Sequence, residues 1–223
     1  WVGAVLVTVL VVGYTLTGGL KAVVRTDAVQ GAIALALLWL GLAMVINDAG
    51  GLGVALESIS SSEETSGLLG RDGNYTLLIW SSTMILWLFA DPMFPQLYQR
   101  LCAAESDYAI GRMATLYPAV AWLAFLPPIL IGTLGHLDNP GLDRSGSDNI
   151  LPTMIMDVGG EWLGGLVLVA GLAALMSTMD SQLLATGSLV TRDLAPKGDS
   201  GIWSRESVIV SLAVLGLVLS LWS

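Results

Sequence analysis

The sequence predicts an all-α fold, a polytopic bundle of membrane-spanning helices. Three observations predict it. Six apolar stretches cover residues 1–20, 26–46, 75–101, 113–135, 162–187 and 207–223, each about long enough to cross a hydrocarbon core as an α-helix. No stretch alternates convincingly with period two, which argues against a barrel. The basic residues fall unevenly on alternate connections between the stretches, as they do in multi-span proteins. Composition agrees, with 54% hydrophobic residues, 12% charged and a mean hydropathy of +0.75.

The 223 residues admit a single transmembrane domain, 1–223. The chain begins and ends inside apolar runs and lacks an initiating Met, so it is expected to be part of a longer protein. No basic segment precedes the first run, so no cleavable signal is expected. The one cysteine, Cys102, allows no internal disulfide and has no metal-ligand neighbours in sequence. The net charge of −9 is spread through the connections. A basic partner, a high-salt habitat or an ordinary acidic outer surface would each account for it. The lipid bilayer is an expected partner; nucleic acid is not.

The basic residues orient the bundle. Lys21 and Arg25 lie between the first and second stretches, Arg100 and Arg112 near the third-to-fourth connection, and Arg192, Lys197 and Arg205 between the fifth and sixth. The other connections hold only Arg71 and Arg144, a split of seven against two. The richer side is cytoplasmic by the positive-inside rule. Segments 47–74 and 136–161 are then external, in a multi-pass protein of the cell membrane.

The first stretch ends in Thr17-Gly18-Gly19, a helix stop and close-packing point. Thr26 reads as an N-cap for the second, with Asp27 complementing the positive helix end. A second reading stands beside it: Asp27 and Gln30, three residues apart on one face, point into the bundle as ligands. Segment 47–74, with Asp48, Glu57, Glu63 and Glu64, reads as solvated; it contains a weak glycosylation match at Asn74-Tyr75-Thr76. The third stretch is interrupted by Asp91-Pro92-Met93-Phe94-Pro95. Each proline removes a backbone donor and restrains the residue before it. A break at membrane depth is tolerated only beside protein or a cavity, as in the discontinuous helices of transporters. Alternatively, Asp91 caps a cytoplasmic half-helix with Pro92 at its first position. Pro118, Pro127 and Pro128 read as kinks in the fourth stretch. In segment 136–161, Asn149-Ile-Leu-Pro-Thr-Met-Ile-Met is apolar enough for a short helix over the external mouth, and His136 reads as a surface residue.

The fifth stretch carries the densest chemistry. Ala174, Ser177, Thr178, Ser181, Ala185 and Ser188 share one helical face, while Leu166, Leu168, Leu172, Leu175 and Leu183 cover other directions. Small-residue stripes often serve only close helix packing, with hydroxyls bonded one turn back. Asp180 weighs against that account, because an intramembrane carboxylate is a functional candidate by default. With entry near Trp162, Ser177 to Ser181 lie roughly 22 to 29 Å along the helix. Asp27 falls near the same inner level. Carboxylates and hydroxyls meeting there suit a hard cation or protons.

Three stretches together resemble the sodium/solute symporter family. They are Tyr14 to Gln30, Pro95 with Gln99-Arg100, and Ala173 to Leu184 followed by Arg192-Asp193-Leu194. The resemblance, to a sodium/proline symporter-like member of that family, implies a LeuT-type fold of two inverted five-helix repeats. This chain then corresponds to core helices four to nine, an incomplete set of six spans. It implies Na+ as the coupling ion, held by the backbone carbonyl of Ala174 and the hydroxyls of Ser177 and Thr178. In some members a second sodium binds between the Thr-Asp-x-x-Gln motif and the same helix, here Asp27, Gln30, Asp180 and Ser181. It also places substrate beside the broken third stretch. Asp91 and Phe94 are the candidates there, and a buried Asp91 would favour an amine-bearing solute. Proline-type members have Gly-Gln-Pro where this chain has Met93-Phe94-Pro95, and the Tyr-Trp pair of sugar-type members reads Ala90-Asp91 here, so a sugar carrier is not expected.

The expected function is therefore sodium-coupled symport, by alternating access, of a small organic solute: an amino acid such as proline, or a related zwitterion or carboxylate. The alternative is a symporter-like sensor module of a signalling kinase. No phosphate-binding loop, nucleophile elbow or metalloprotease helix appears, and the residue pairs of an intramembrane aspartyl protease are absent. No enzyme activity is expected.

Overall fold

The computed structural model describes residues 2–62, 66, 76–139, 141–194 and 203–222; the side chains at 144, 145, 221 and 222 are not described. The described residues form helices and no strand. In order these are α1 (Val2–Asp48), α2 (Leu52–Ser61), α3 (Leu77–Ala90), a 3-10 turn (Asp91–Met93), α4 (Pro95–Cys102), α5 (Asp107–Asp138), α6 (Arg144–Leu189), a π-helical turn (Val190–Leu194) and α7 (Arg205–Trp222). Arg71, Lys197, Glu63, Glu64 and the Asn74-Tyr75 part of the glycosylation match lie outside the described residues, as do Trp1 and Ser223 at the ends of the outermost stretches.

Three helical runs are long and apolar enough to cross a membrane: Val2–Asp48, Asp107–Asp138 and Gly146–Leu194. A fourth arises if Leu77–Met93 and Pro95–Cys102, bent by 59° at their junction, count as one broken span. The protein is thus an integral, multi-pass membrane protein. The smaller count than six has three sources: stretches 1–20 and 26–46 fall in one run, α3 and α4 pass only as a bent pair, and α7 is not among the long apolar runs. A helix of 47 residues is about 70 Å long, more than twice the hydrocarbon thickness, and α1 is broken inside by Gly19 at φ 57°, ψ −160°. α6 is broken in the same way at Gly160, φ 72°, ψ 176°. Glycine alone enters this region without strain.

The chain divides into two compact units. One comprises Ala32–Phe89 and Glu105–Gly171. Its core is Leu42, Val45, Ala55, Ile59, Ile131, Leu134, Ile150, Met154, Ile155 and Val167. Close approach at glycines builds it. A Cβ on Gly41 would stand 2.8 Å from the Ile155 side chain, and Gly135 meets Ile150 and Met154 in the same way. The Trp39 indole donates to the Leu123 carbonyl at 2.9 Å. Segment 47–74 is not simply solvated, because α2 buries Ala55 and Ile59, one turn apart, in this core. The helix expected around Asn149 forms as the first part of α6, ending at Gly160. α5 runs unbroken through its three prolines, with Pro127 buried. The ring of His136, only partly exposed, lies 2.8 Å from the Gly132 carbonyl one turn back.

The other unit comprises Trp1–Gly31, Ala90–Ala104 and Leu172–Ser223. Val11 and Val23, on either side of the Gly19 break, share a core with Leu183, Leu184, Ile209 and Ala213. A Cβ on Gly187 would come within 2.8 Å of Ile209, so α6 and α7 approach closely here. Thr26 is not an N-cap. The helix resumes immediately after Gly19, and Thr26 bonds back to the carbonyls of Val23, at 2.9 Å, and Ala22. Asp91 caps nothing either. Phe94 stands at the N-cap position of α4, with Pro95 in its first turn and no side-chain cap bond.

Candidate functional site

The polar side chains of the second unit gather on a few short pieces of backbone. The kink at Gly19 gives α1 two legs, one bearing Tyr14 and Thr15, the other Asp27 and Gln30. α4, released by the Asp91–Pro95 break, contributes Gln99 and Arg100. α6 contributes Asp180 and Ser181. Asp180 and Thr15 have no exposed surface, and Ser181 is buried.

The connections are specific. The Tyr14 hydroxyl donates to Asp180 Oδ2 at 2.6 Å, and the Ser181 hydroxyl lies 3.1 Å from Asp180 Oδ1. Arg100 Nη2 donates to Asp27 Oδ2 and to Ser181 Oγ, each at 2.5 Å. Gln99 Nε2 reaches Ser188 Oγ at 3.4 Å, a longer contact. Asp27 is the more enclosed partner of its ion pair: its side chain is 12% exposed against 36% for Arg100. A chain of contacts therefore runs Tyr14, Asp180, Ser181, Arg100, Asp27. It begins at the Tyr14 phenol, carries carboxylates at Asp180 and at the Asp27 end, and places a guanidinium between Ser181 and Asp27.

The cluster is incompletely satisfied. Thr15 Oγ1, Asp27 Oδ1, Gln30 Oε1 and Arg100 Nε are buried without a hydrogen-bond partner. Two of these acceptors, on Asp27 and Gln30, sit on one helix face three residues apart. Oxygens without donors are what a small hard cation takes as ligands. Among the described residues no three His, Cys, Asp or Glu side chains assemble as a metal site, so any ion here is held by a mixed set of oxygens.

The sequence-derived candidates separate into groups. Asp27, Asp180 and Ser181 are brought together with Gln30 one turn along from Asp27, in the inward reading of that face. Both Asp180 oxygens already have hydroxyl contacts, from Tyr14 and Ser181. Ala174, Ser177 and Thr178 lie one turn earlier on α6. Ala174 and Thr178 are exposed and Ser177 is partly buried. The Thr178 hydroxyl donates to the Ala174 carbonyl at 3.1 Å, so these two oxygens stand side by side. Asp91 is partly buried in the 3-10 turn, where its carbonyl accepts from the Phe94 amide at 3.3 Å. Phe94 is 40% exposed. Leu183, expected on another face from the hydroxyls, is buried in the core, while Leu172 and Leu175 are exposed.

Tyr14, Thr15 and Arg100 were missed as site residues. Arg100 carried its charge into the orientation argument and nothing more, since its carboxylate partner lies 73 positions away. Tyr14 is polar only at its tip, and it passes as an interfacial aromatic. Both nevertheless fall inside the stretches that carry the family resemblance.

A family model described as the sodium:solute symporter family matches residues 2–220. A sodium/pantothenate symporter of Haemophilus influenzae is 30% identical over 225 residues, covering 97% of this chain and 46% of that protein. A sodium/proline symporter of Salmonella typhimurium is 26% identical, covering 99% of this chain and 45% of its own length. A sodium/proline symporter of Escherichia coli is 30% identical over 200 residues, 87% of this chain and 38% of that protein. The chain thus spans less than half the length of these relatives. No solved structure matches it significantly.

Proposed function

We propose that this chain, which belongs to the sodium:solute symporter family, takes part in sodium-coupled symport of a small organic solute. The observation that carries this reading is the set of buried oxygens without donors, on Asp27 and Gln30, beside Ser181, in a chain of that family. The named relatives pair sodium with proline or pantothenate, so an amino acid such as proline, or a related zwitterion or carboxylate, is the solute class.

The ion assignment follows in two parts. Sodium binds the Ala174 carbonyl with the Ser177 and Thr178 hydroxyls, which α6 presents near its exposed face. Asp27, Gln30 and Ser181 form the candidate second cation position, with Asp180 buttressing Ser181. Solute binds beside the break at Asp91 and Phe94. The fold reading that goes with this is two inverted five-helix repeats, of which the chain supplies core helices four to nine. The six spans of that reading are the parts of α1 before and after Gly19, the bent α3–α4 pair, α5, the part of α6 after Gly160, and α7. Coupling requires that ion and solute each raise the other's affinity by one shared factor.

The test is uptake by the full-length protein across a solute panel that includes proline and pantothenate, with sodium replaced by potassium. Uptake of at least one solute should need sodium and respond to an imposed sodium gradient. Uptake of every transported solute at equal rates in potassium would overturn the reading.

A further inference from the structure

The side chain placed on the candidate second cation position is itself a cation. Arg100 Nη2 occupies the position between Asp27 Oδ2 and Ser181 Oγ, 2.5 Å from each. A guanidinium nitrogen and an alkali ion cannot share that place. We propose that Arg100 is a tethered competitor for this position: its guanidinium excludes an alkali ion from Asp27 and Ser181, and the ion binds there only as Arg100 withdraws. This rests on the symport reading and deepens it, because it makes one residue the determinant of how tightly the second position takes sodium.

Three features of the geometry support an exchange over a permanent structural pair. First, the pair is half-satisfied. Arg100 Nε lacks an acceptor while Asp27 Oδ1 and Gln30 Oε1 lack donors, and the guanidinium leaves both of those oxygens unmet. An ion coordinated by several oxygens would engage them. Each arrangement therefore satisfies atoms that the other leaves bare, which is what allows two states of similar free energy. Second, Arg100 stands on a helix of eight residues, joined at the extended Phe94 to a piece bent by 59°. Only two turns of helical hydrogen bonding hold such an element, against the many turns of α1 and α6, so moving it disturbs less backbone structure. Third, the Arg100 side chain is more than a third exposed while Asp27 is nearly enclosed. The guanidinium thus has an open side to leave by.

The sign of the effect separates this from a structural role. Removing a competitor strengthens sodium binding, whereas breaking a merely structural ion pair weakens the protein. Full-length protein in proteoliposomes is assayed for solute uptake against sodium concentration. Arg100→Gln should lower the sodium needed for half-maximal uptake by about tenfold, the scale on which one charge-assisted hydrogen bond acts. Arg100→Lys, which keeps the charge but loses the planar fork, should fall between. Asp27→Asn combined with Arg100→Gln should lose the gain. An unchanged or raised sodium requirement in Arg100→Gln would overturn the proposal. So would a charge exchange, Asp27→Arg with Arg100→Asp, that restored wild-type sodium dependence.

Should Arg100→Gln fail to fold, wild-type protein supplies the reading. Cys102 is exposed and two residues from Arg100 on α4, and its thiol labelling can be followed by peptide mass. Sodium should change the Cys102 labelling rate relative to potassium, and Asp27→Asn should abolish that change. A sodium-dependent transporter whose Cys102 labels identically in both salts would sink the exchange while leaving symport intact. Uptake indifferent to sodium in wild-type protein would remove both.

Discussion

The Tyr14 hydroxyl donates to the Asp180 carboxylate at 2.6 Å across 166 positions of sequence. That bond ties the leg of α1 before Gly19 to α6 at the level of the polar cluster. With the Ser181 contact on the other oxygen, it leaves Asp180 engaged on both sides. A carboxylate of zero exposure within an apolar helix is costly unless it is bonded in this way. Asp180 thereby fixes where Ser181 stands, and Ser181 in turn stands against Arg100.

Tyr14→Phe should lower stability. It strands Asp180 Oδ2, which carries a cost of about 1 to 3 kcal/mol in a buried setting, though hydrogen bonds between membrane helices average nearer 0.6 kcal/mol. A drop of about 1 kcal/mol is expected, read as a lower midpoint for thermal loss of the monodisperse peak in detergent. Asp180→Asn in the same background should cost less than the sum of the two single changes, since the partners are in contact. An unaltered midpoint in Tyr14→Phe would mean that the bond carries no weight.

Gly19→Ala should destabilise through backbone strain alone. Nothing lies within 4 Å of an added Cβ, yet φ is 57° and ψ −160°, a region nearly closed to side chains, at about 1 to 3 kcal/mol. Gly31→Ala is the control, because Gly31 is helical and equally open, so alanine there should be neutral or stabilising. Equal behaviour of the two variants would show that the break at Gly19 is not maintained in the membrane.

Much of this architecture was legible, for identifiable reasons. Gly18-Gly19 and Asp91-Pro92-Met93-Phe94-Pro95 announce breaks because glycine and proline act on the backbone itself. The structure breaks the helix at Gly19 and bends it between Met93 and Pro95. Asp27 was ambiguous between a helix-end charge and an inward ligand, since both use the same local pattern. The bond to Arg100 turns the Asp27 side chain into the polar cluster, and no local window contains that partner. α2 was hidden by its surroundings: the acids, glycines and serines of segment 47–74 gave it a solvated look, and of the apolar residues in α2 only Ala55 and Ile59 bury. Arg100 was hidden by its usefulness, because a cation beside a span already had an explanation in topology.

Asp91→Asn should discriminate among solutes. Asp91 is partly buried at the bend between α3 and α4, where a carboxylate can meet a substrate amine. Loss of its charge should raise the half-saturating concentration of an amine-bearing solute about tenfold, the worth of one charge-assisted contact. A simple carboxylate such as pantothenate should be unaffected or favoured. Equal effects on both classes would remove Asp91 from solute recognition and leave it a structural part of the bend.

Thr178→Ala should raise the sodium concentration for half-maximal uptake. Thr178 Oγ1 and the Ala174 carbonyl lie 3.1 Å apart, close enough to serve one ion together, while both residues are exposed on α6. The present bond between them is a common back-bond of helical threonines and contributes little to folding. Alanine should therefore leave the thermal midpoint nearly unchanged while weakening ion binding. Thr178→Ser, which restores the hydroxyl without the methyl, should recover the wild-type sodium dependence. Ser177→Ala should act in the same direction as Thr178→Ala. The opposite pattern, a lower thermal midpoint with unchanged sodium dependence, would identify Thr178 as a packing residue and place the ion elsewhere. Combining Thr178→Ala with Arg100→Gln separates the two cation positions: independent positions give additive changes in the apparent sodium affinity, whereas a single shared position does not.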